Sequence, residues 1–373
     1  MAERLSRLMH AEVDALDIPA PSPRTTLATG RRLRRRHNLT VAVVGATAVA
    51  AVACGTLFWA NRPAVTVVDP VTPHSAPAPP AYGVGSRVVL GDEVAQVPDT
   101  VHSLHYTSVG VLVRSNPNDG ASDGSGPESL TLVQDDGTTV DLGTVPEGVG
   151  PATDPEQPYF ALAERSGDGF EAVVRDARTG DEVGRVALPD LPPSYWEVPP
   201  LGLSGDHVYV GYRSKTVAVD WHTGDNHVVA GLTGGIPEVY GGHALIPTGD
   251  TATVIDAATG EELAEFPVTG DPADGEGGVD LSPDGRFALV WHIDPQSYEP
   301  ARKFTVVDIA SGGSQPFDGA PYDWGWTADG GLFTIQDGTV AQCAPATGEC
   351  TEARSPVNIG SQMIRLGGRM YES

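Results

Sequence analysis

The sequence predicts an all-β fold, a β-propeller of four-stranded blades, placed after one transmembrane helix. Three observations lead there. The pattern D-x-x-[TS]-G starts at Asp176, Asp220, Asp256 and Asp308, and a fifth copy at Ala344 keeps Thr347 and Gly348 without the Asp. The turn therefore recurs about every 42 residues, a spacing that suits a blade. The 373 residues hold 45 Gly and 32 Pro but few long helix-forming runs, as a turn-rich β protein does. An uncharged stretch, Leu39 to Ala60, separates a basic head from an acidic body.

The head, residues 1–38, reads as a cytoplasmic tail. Leu5, Leu8, Met9, Val13 and Leu16 recur at helical spacing until Pro19, Pro21 and Pro23, giving a short amphipathic helix suited to a membrane surface or a docking partner. Residues 39–60, at about 1.5 Å each, cover a ~30 Å hydrocarbon core. Arg31, Arg32, Arg34, Arg35 and Arg36 precede this segment, and only Arg62 follows before Arg87. The positive-inside rule then places the N-terminus inside and the bulk outside the membrane. Phe58 and Trp59 suit an interfacial anchor. Two alternatives stay open: cleavage after the A-x-A pattern Ala51–Ala53, giving a secreted protein, and a lipoprotein-like acceptor at Cys54. Residues 61–84 read as a Pro-rich spacer and 85–373 as the extracytoplasmic propeller. The first 62 residues carry nine Arg against four acidic groups, yet the whole chain has a net charge of −26. Such an acidic body repels phosphate backbones, so nucleic acid is excluded as a partner.

Each intact D-x-x-[TS]-G follows a strand-like run: Ala172–Arg175, Thr216–Val219, Ala252–Ile255 and Phe304–Val307. Asp caps backbone amides in such a turn, and Gly takes the positive φ that reverses the chain. A second set of turns, Ser204–Asp206, Ser282–Gly285 and Ala328–Gly331, lies upstream and separates two further apolar runs. One unit is thus strand, short turn, strand, variable loop, strand, D-x-x-[TS]-G turn, strand. Six units begin near Asp99, Gly148, Asp190, Gly231, Asp271 and Gly319. Arg87–Leu90 and Val94–Val97 at one end, with Gln362–Arg365 and Met370–Glu372 at the other, are expected to complete a seventh blade, two strands from each end. Six or eight blades are the alternatives.

Asp256, Thr259, Gly260 and Glu261, within Val254–Phe266, resemble the repeat of quinoprotein-like β-propellers, and Leu281–Gly285 is similar to the S-P-D-G turn of WD-repeat-like and TolB-like propellers. The resemblance spans roughly residues 85–373 and implies an architecture. The Trp that follows the T-G turn in quinone-binding members is missing, as is a vicinal Cys pair, so no cofactor is expected.

Cys343 and Cys350 straddle the degenerate turn and are expected to pair as cross-strand neighbours in an oxidising compartment, while Cys54 stays free within the membrane. Two acidic clusters, Asn116–Glu128 and Asp271, Asp274, Glu276 and Asp280, lack the calcium-loop spacing and read as solvated loops, so no metal is expected. There is no G-x-S-x-G elbow and no H-x-x-x-H or H-E-x-x-H spacing. No catalytic residue is assigned. The connections opposite the short turns are expected to be longer and to carry Trp196, Glu197, Glu238, Tyr240, Asp274, Glu276, His292, Asp294, Tyr298, Tyr322, Asp323 and Trp324. Aromatic faces beside carboxylates suit a cationic peptide, an amine or a saccharide. Against this stands plain packing of Trp324 and Trp326 between blades. The expected function is a non-catalytic ligand- or protein-binding module of the cell envelope. The alternatives are a propeller enzyme (lyase, hydrolase or quinone-type oxidoreductase) and a transmembrane signalling protein.

Overall fold

The structure, a computed structural model, describes residues 78–121, 126–189, 198–211, 214–232, 238–248, 251–268, 277–293 and 300–369. The predicted cytoplasmic tail and membrane helix lie outside them. Among the described residues no helix is long and apolar enough to cross a membrane. What they form is a seven-bladed propeller, each blade a four-stranded antiparallel sheet, with strands called a to d from the axis outward.

Blade 1 is composite: Ile364–Leu366 is strand a, and Ala81–Val84, Arg87–Leu90 and Glu93–Gln96 are b, c and d. Blades 2 to 7 follow in chain order, with inner strands Thr100–Thr107, Ala152–Thr153, Leu201–Ser204, Val239–Tyr240, Gly277–Leu281 and Trp324–Trp326. Among the described residues the closure is three strands plus one, which corrects the expected two plus two; the expected strand Met370–Glu372 lies outside them. Ala81–Val84 falls in the segment that proline content assigned to the spacer, but its prolines, Pro79 and Pro80, stand just ahead of it. Free to pair, it joins Leu90 through Ala81 and Leu366 through Tyr82.

Seven apolar clusters fill the seven gaps between adjacent blades, which shows that the ring is closed. A strand serves two gaps because successive side chains point to opposite faces. Val208 and Val210 face blade 3, while Tyr209 between them faces blade 5. Val111 and Val113 face blade 1, and Leu112 faces blade 3. Segments such as Val111–Val113 and Val208–Val210 are thus unbroken apolar runs, buried on both sides.

The repeated turns behave as read. In each intact copy the Gly donates its N–H to the Asp carbonyl at 2.7–2.8 Å. The carboxylate also caps: Asp256 Oδ1 accepts from Thr259 N at 2.7 Å, and Asp308 Oδ1 from Ser311 N at 2.8 Å. Gly260 sits at φ +75°, where a side chain would be strained. The residue after each Asp then bonds to the a–b turn of the same blade, as in Ala257 N to Gly242 O and Ile309 N to Arg286 O. The two sets of short turns consequently share one face, hereafter the turn face.

Candidate functional site

The opposite, loop face carries the d–a and b–c connections. Only part of the expected asymmetry holds. Several d–a connections are long (188–200, 230–238, 268–276 and 355–363), but four of the seven b–c connections have two residues: 85–86, 167–168, 249–250 and 337–338. The long b–c connections are 117–127 in blade 2 and 294–299 in blade 6. Ala78–Pro80 join the ring on the turn face, where Ala78 N donates to Asp329 Oδ2 at 2.9 Å and Gly91 N to Pro80 O at 3.0 Å.

Of the twelve expected face residues, Trp196, Glu197, Asp274, Glu276, Asp294 and Tyr298 lie outside the described residues. His292 stands in strand b of blade 6, opposite Gly277. Tyr240, in the inner strand of blade 5, packs half-buried into the apolar cluster between blades 5 and 6. Trp324 is buried against Phe304 and Phe317, with ring centres 5.5 Å away in each case, and Trp326 is buried in the same cluster. Both tryptophans are packing residues. Glu238, Tyr322 and Asp323 remain at the inner rim of the loop face.

Residues 321–323 make a 3-10 turn ahead of the blade 7 inner strand. Pro321 opens it, Asp323 N bonds Ala320 O at 3.0 Å, and Thr334 Oγ1 in the neighbouring strand donates to Asp323 O at 2.7 Å. That anchoring leaves Tyr322 48% exposed. Trp291, which lies across the bare backbone of Gly278, meets it edge to face at 6.0 Å.

Two groups that the sequence reading missed stand on the inner wall of the ring, between this rim and the turn face. Asp280, grouped there with a solvated acidic loop, is instead a half-buried member of the blade 6 inner strand. Burial first, then the charge of Glu238, push its carboxyl up to about 7, against the pull of Arg369. Arg369 follows the last strand. Its Nη1 donates to Tyr322 O at 3.0 Å and its Nη2 to Pro321 O, while its guanidinium lies 5.4 Å from the Tyr322 ring centre. Burial lowers its pKa, and Asp280, Tyr322 and Asp323 oppose that shift. An acid in an otherwise apolar inner strand, Gly277–Leu281, was the available signal for Asp280. Nothing local marked Arg369, since only ring closure brings it to blade 7.

The other acidic cluster is also corrected. Its ends, Asn116 and Glu128, are fully buried because they bind charge and backbone instead of water. Glu128 Oε1 lies 2.8 Å from His102 Nδ1 and accepts from Asn116 Nδ2 at 3.0 Å, and Oε2 pairs with Arg114. Asn116 Oδ1 accepts from Asn118 N and Gly120 N, both at 3.1 Å, and Arg365 of blade 1 donates to Gly120 O at 2.8 Å. This network ties the start of the 117–127 connection to blades 1 and 2.

Cys343 and Cys350 are bonded, with an S–S distance of 2.03 Å, and they face each other across strands c and d of blade 7. Among the described residues no group of three or more His, Cys, Asp or Glu could hold a metal ion.

No known protein family matches the chain, and no curated protein is similar to it. Among solved structures it is similar to apo AztD from Citrobacter koseri, at 11% identity over 79% of this chain and 100% of that one, with a TM-score of 0.46. A protein from Lactobacillus plantarum is similar at 13% identity, over 78% and 99%, with a TM-score of 0.43. The propeller domain of Myceliophteria thermophila Cps50 (Swd1) is similar at 12% identity, over 72% and 88%, with a TM-score of 0.41. At such identities nothing about a ligand transfers.

Proposed function

We propose that this protein is a single-pass, membrane-anchored propeller of the cell envelope that acts outside the membrane as a non-catalytic binding or scaffold module. Its working surface is the loop face, and its ligand or partner presents a cationic or saccharide group. One observation carries the reading: the turn face is made of short, self-capped, repetitive turns, whereas the d–a connections of the loop face bring Glu238, Asp323 and a half-exposed Tyr322 to the inner strands. Variable connections on a rigid ring can acquire specificity without loss of fold stability. The uncharged segment 39–60 behind its arginines supports the anchor, and the Cys343–Cys350 bond suits an oxidising compartment.

A photo-crosslinking amino acid placed in living cells at Trp196, Tyr322 or Asn358 should capture an envelope partner or glycan. The same probe at His222, Thr259 or Ala310 on the turn face should not. Tyr322→Ala should weaken that association by about 2 kcal/mol or more with unchanged thermal unfolding. Crosslinking confined to the turn face would overturn the assignment.

A further inference from the structure

The seat of Arg369 has the composition of a binding site, and the chain itself fills it. Gly367 is fixed on both sides, its N–H to Ala81 O at 2.8 Å and its carbonyl to Trp326 N at 3.1 Å. Gly368 then turns at φ +70°, where a Cβ would collide with Trp326 and Pro283, so a bare backbone is required there. Past that pivot, Arg369 reaches back to the loop-face rim. Its planar fork meets two carbonyl oxygens, of Pro321 and Tyr322; its charge lies against the face of Tyr322; and Asp280 and Asp323 stand near enough to act on it electrostatically. Carbonyls, a ring face and a carboxylate recognise a guanidinium by shape and charge together. Glu238 acts on Asp280, and Asp323 on Arg369, as further acidic charges nearby.

The contacts are also poised for exchange. The Tyr322 ring beneath Arg369 is half exposed. The blade 1 strand pairing does not involve Arg369, so release would leave it in place.

Resting on the loop-face reading above, we propose that Pro321, Tyr322, Asp323 and Asp280 form a recognition site for an arginine side chain of a partner peptide, and that Arg369 is an intramolecular stand-in which that arginine displaces. The arm thus sets a threshold: the partner must outcompete a tethered copy of its own side chain.

The test uses the full-length protein in detergent micelles with N-acetyl-L-arginine amide as probe and its neutral citrulline analogue as control. Arg369→Ala should bind the arginine probe at least tenfold more tightly than the wild type and ignore citrulline. Adding Tyr322→Ala should abolish the gain. An Arg369→Ala protein that keeps its melting temperature and binds no better than wild type would make Arg369 a structural ion pair and overturn the proposal. A second measurement needs no variant. In wild-type protein labelled with 15N-arginine, saturating probe should move the Arg369 Nε–Hε resonance to its solvent-exposed position, and a resonance unmoved by the probe also overturns it. Crosslinking from Trp196 and Asn358 reports on the face independently. A protein that crosslinks there yet fails both arginine measurements loses this ligand class and keeps the face.

Discussion

Glu128 shows how a single side chain can hold a connection of the loop face. Burial alone would raise its pKa, but the His102 hydrogen bond, the Arg114 charge and the Asn116 hydrogen bond outweigh that and hold the carboxyl below the usual range. A carboxylate depressed in the folded state adds stability above its unfolded pKa of ~4.3, and the contribution is lost as pH falls through the folded value. Glu128→Gln keeps the shape but strands Arg114 without its partner charge, which should cost about 3 kcal/mol at neutral pH. Urea unfolding followed from pH 7 downward checks both points. The variant should lose its deficit relative to wild type as the pH approaches the acid limb, and a pH-independent difference would refute the ionic account. Such burial was not legible in the sequence. Asn116 to Glu128 reads as a run of polar and acidic residues, and only the pairing of strands b and c places its two ends side by side, facing His102 and Arg114.

Single elements were more legible, because a turn is decided by a few neighbouring residues. The D-x-x-[TS]-G copies announced their own geometry: a side-chain acceptor, a glycine at positive φ and a strand on each side. Blade starts near Asp99, Gly148, Asp190, Gly231, Asp271 and Gly319 fall just ahead of the six continuous inner strands. The degenerate copy adds a comparison between two ways of closing a hairpin. At Ala344–Gly348 no carboxylate is available, although Gly348 N still reaches Ala344 O at 2.8 Å, and the flanking strands are joined by Cys343–Cys350 instead. Closing a loop this short removes unfolded-state freedom equivalent to roughly 2.5 kcal/mol, whereas an Asp cap contributes about 1 kcal/mol. Cys343→Ser with Cys350→Ser should therefore destabilise the ring about twice as much as Asp256→Ala in denaturant titrations, with equal m-values. Equal losses would mean that the bridge does no more than the cap it replaces. The variable connections followed no such local rule. Their aromatic residues look alike in sequence, yet Trp324 is packed between blades and Tyr322, two positions earlier, is half exposed.

At the scale of the whole molecule the decisive feature is the seam. Blade number was legible because it counts repeats, whereas the strand exchange that closes the ring depends on which terminal segments find each other. Tyr82 and Val84 are fully buried against blade 7, and Ala81 is fully buried toward blade 2. A seven-residue stretch, 78–84, therefore separates two modes of closure experimentally. A chain starting at Ala78 keeps all four strands of blade 1 and should unfold in one cooperative transition. A chain starting at Gly85 retains Arg87–Leu90 and Glu93–Gln96 but lacks the strand that joins them to Ile364–Leu366. The ring then opens, exposing two strand edges and forfeiting three buried side chains; burial of Tyr82 and Val84 alone is worth roughly 3–5 kcal/mol. The shorter chain should melt early, lose single-step unfolding and self-associate, as size-exclusion chromatography and calorimetry would report. Equal stability of the two chains would contradict the three-plus-one seam, since a ring closed by two strands from each end would not need Ala81–Val84 at all.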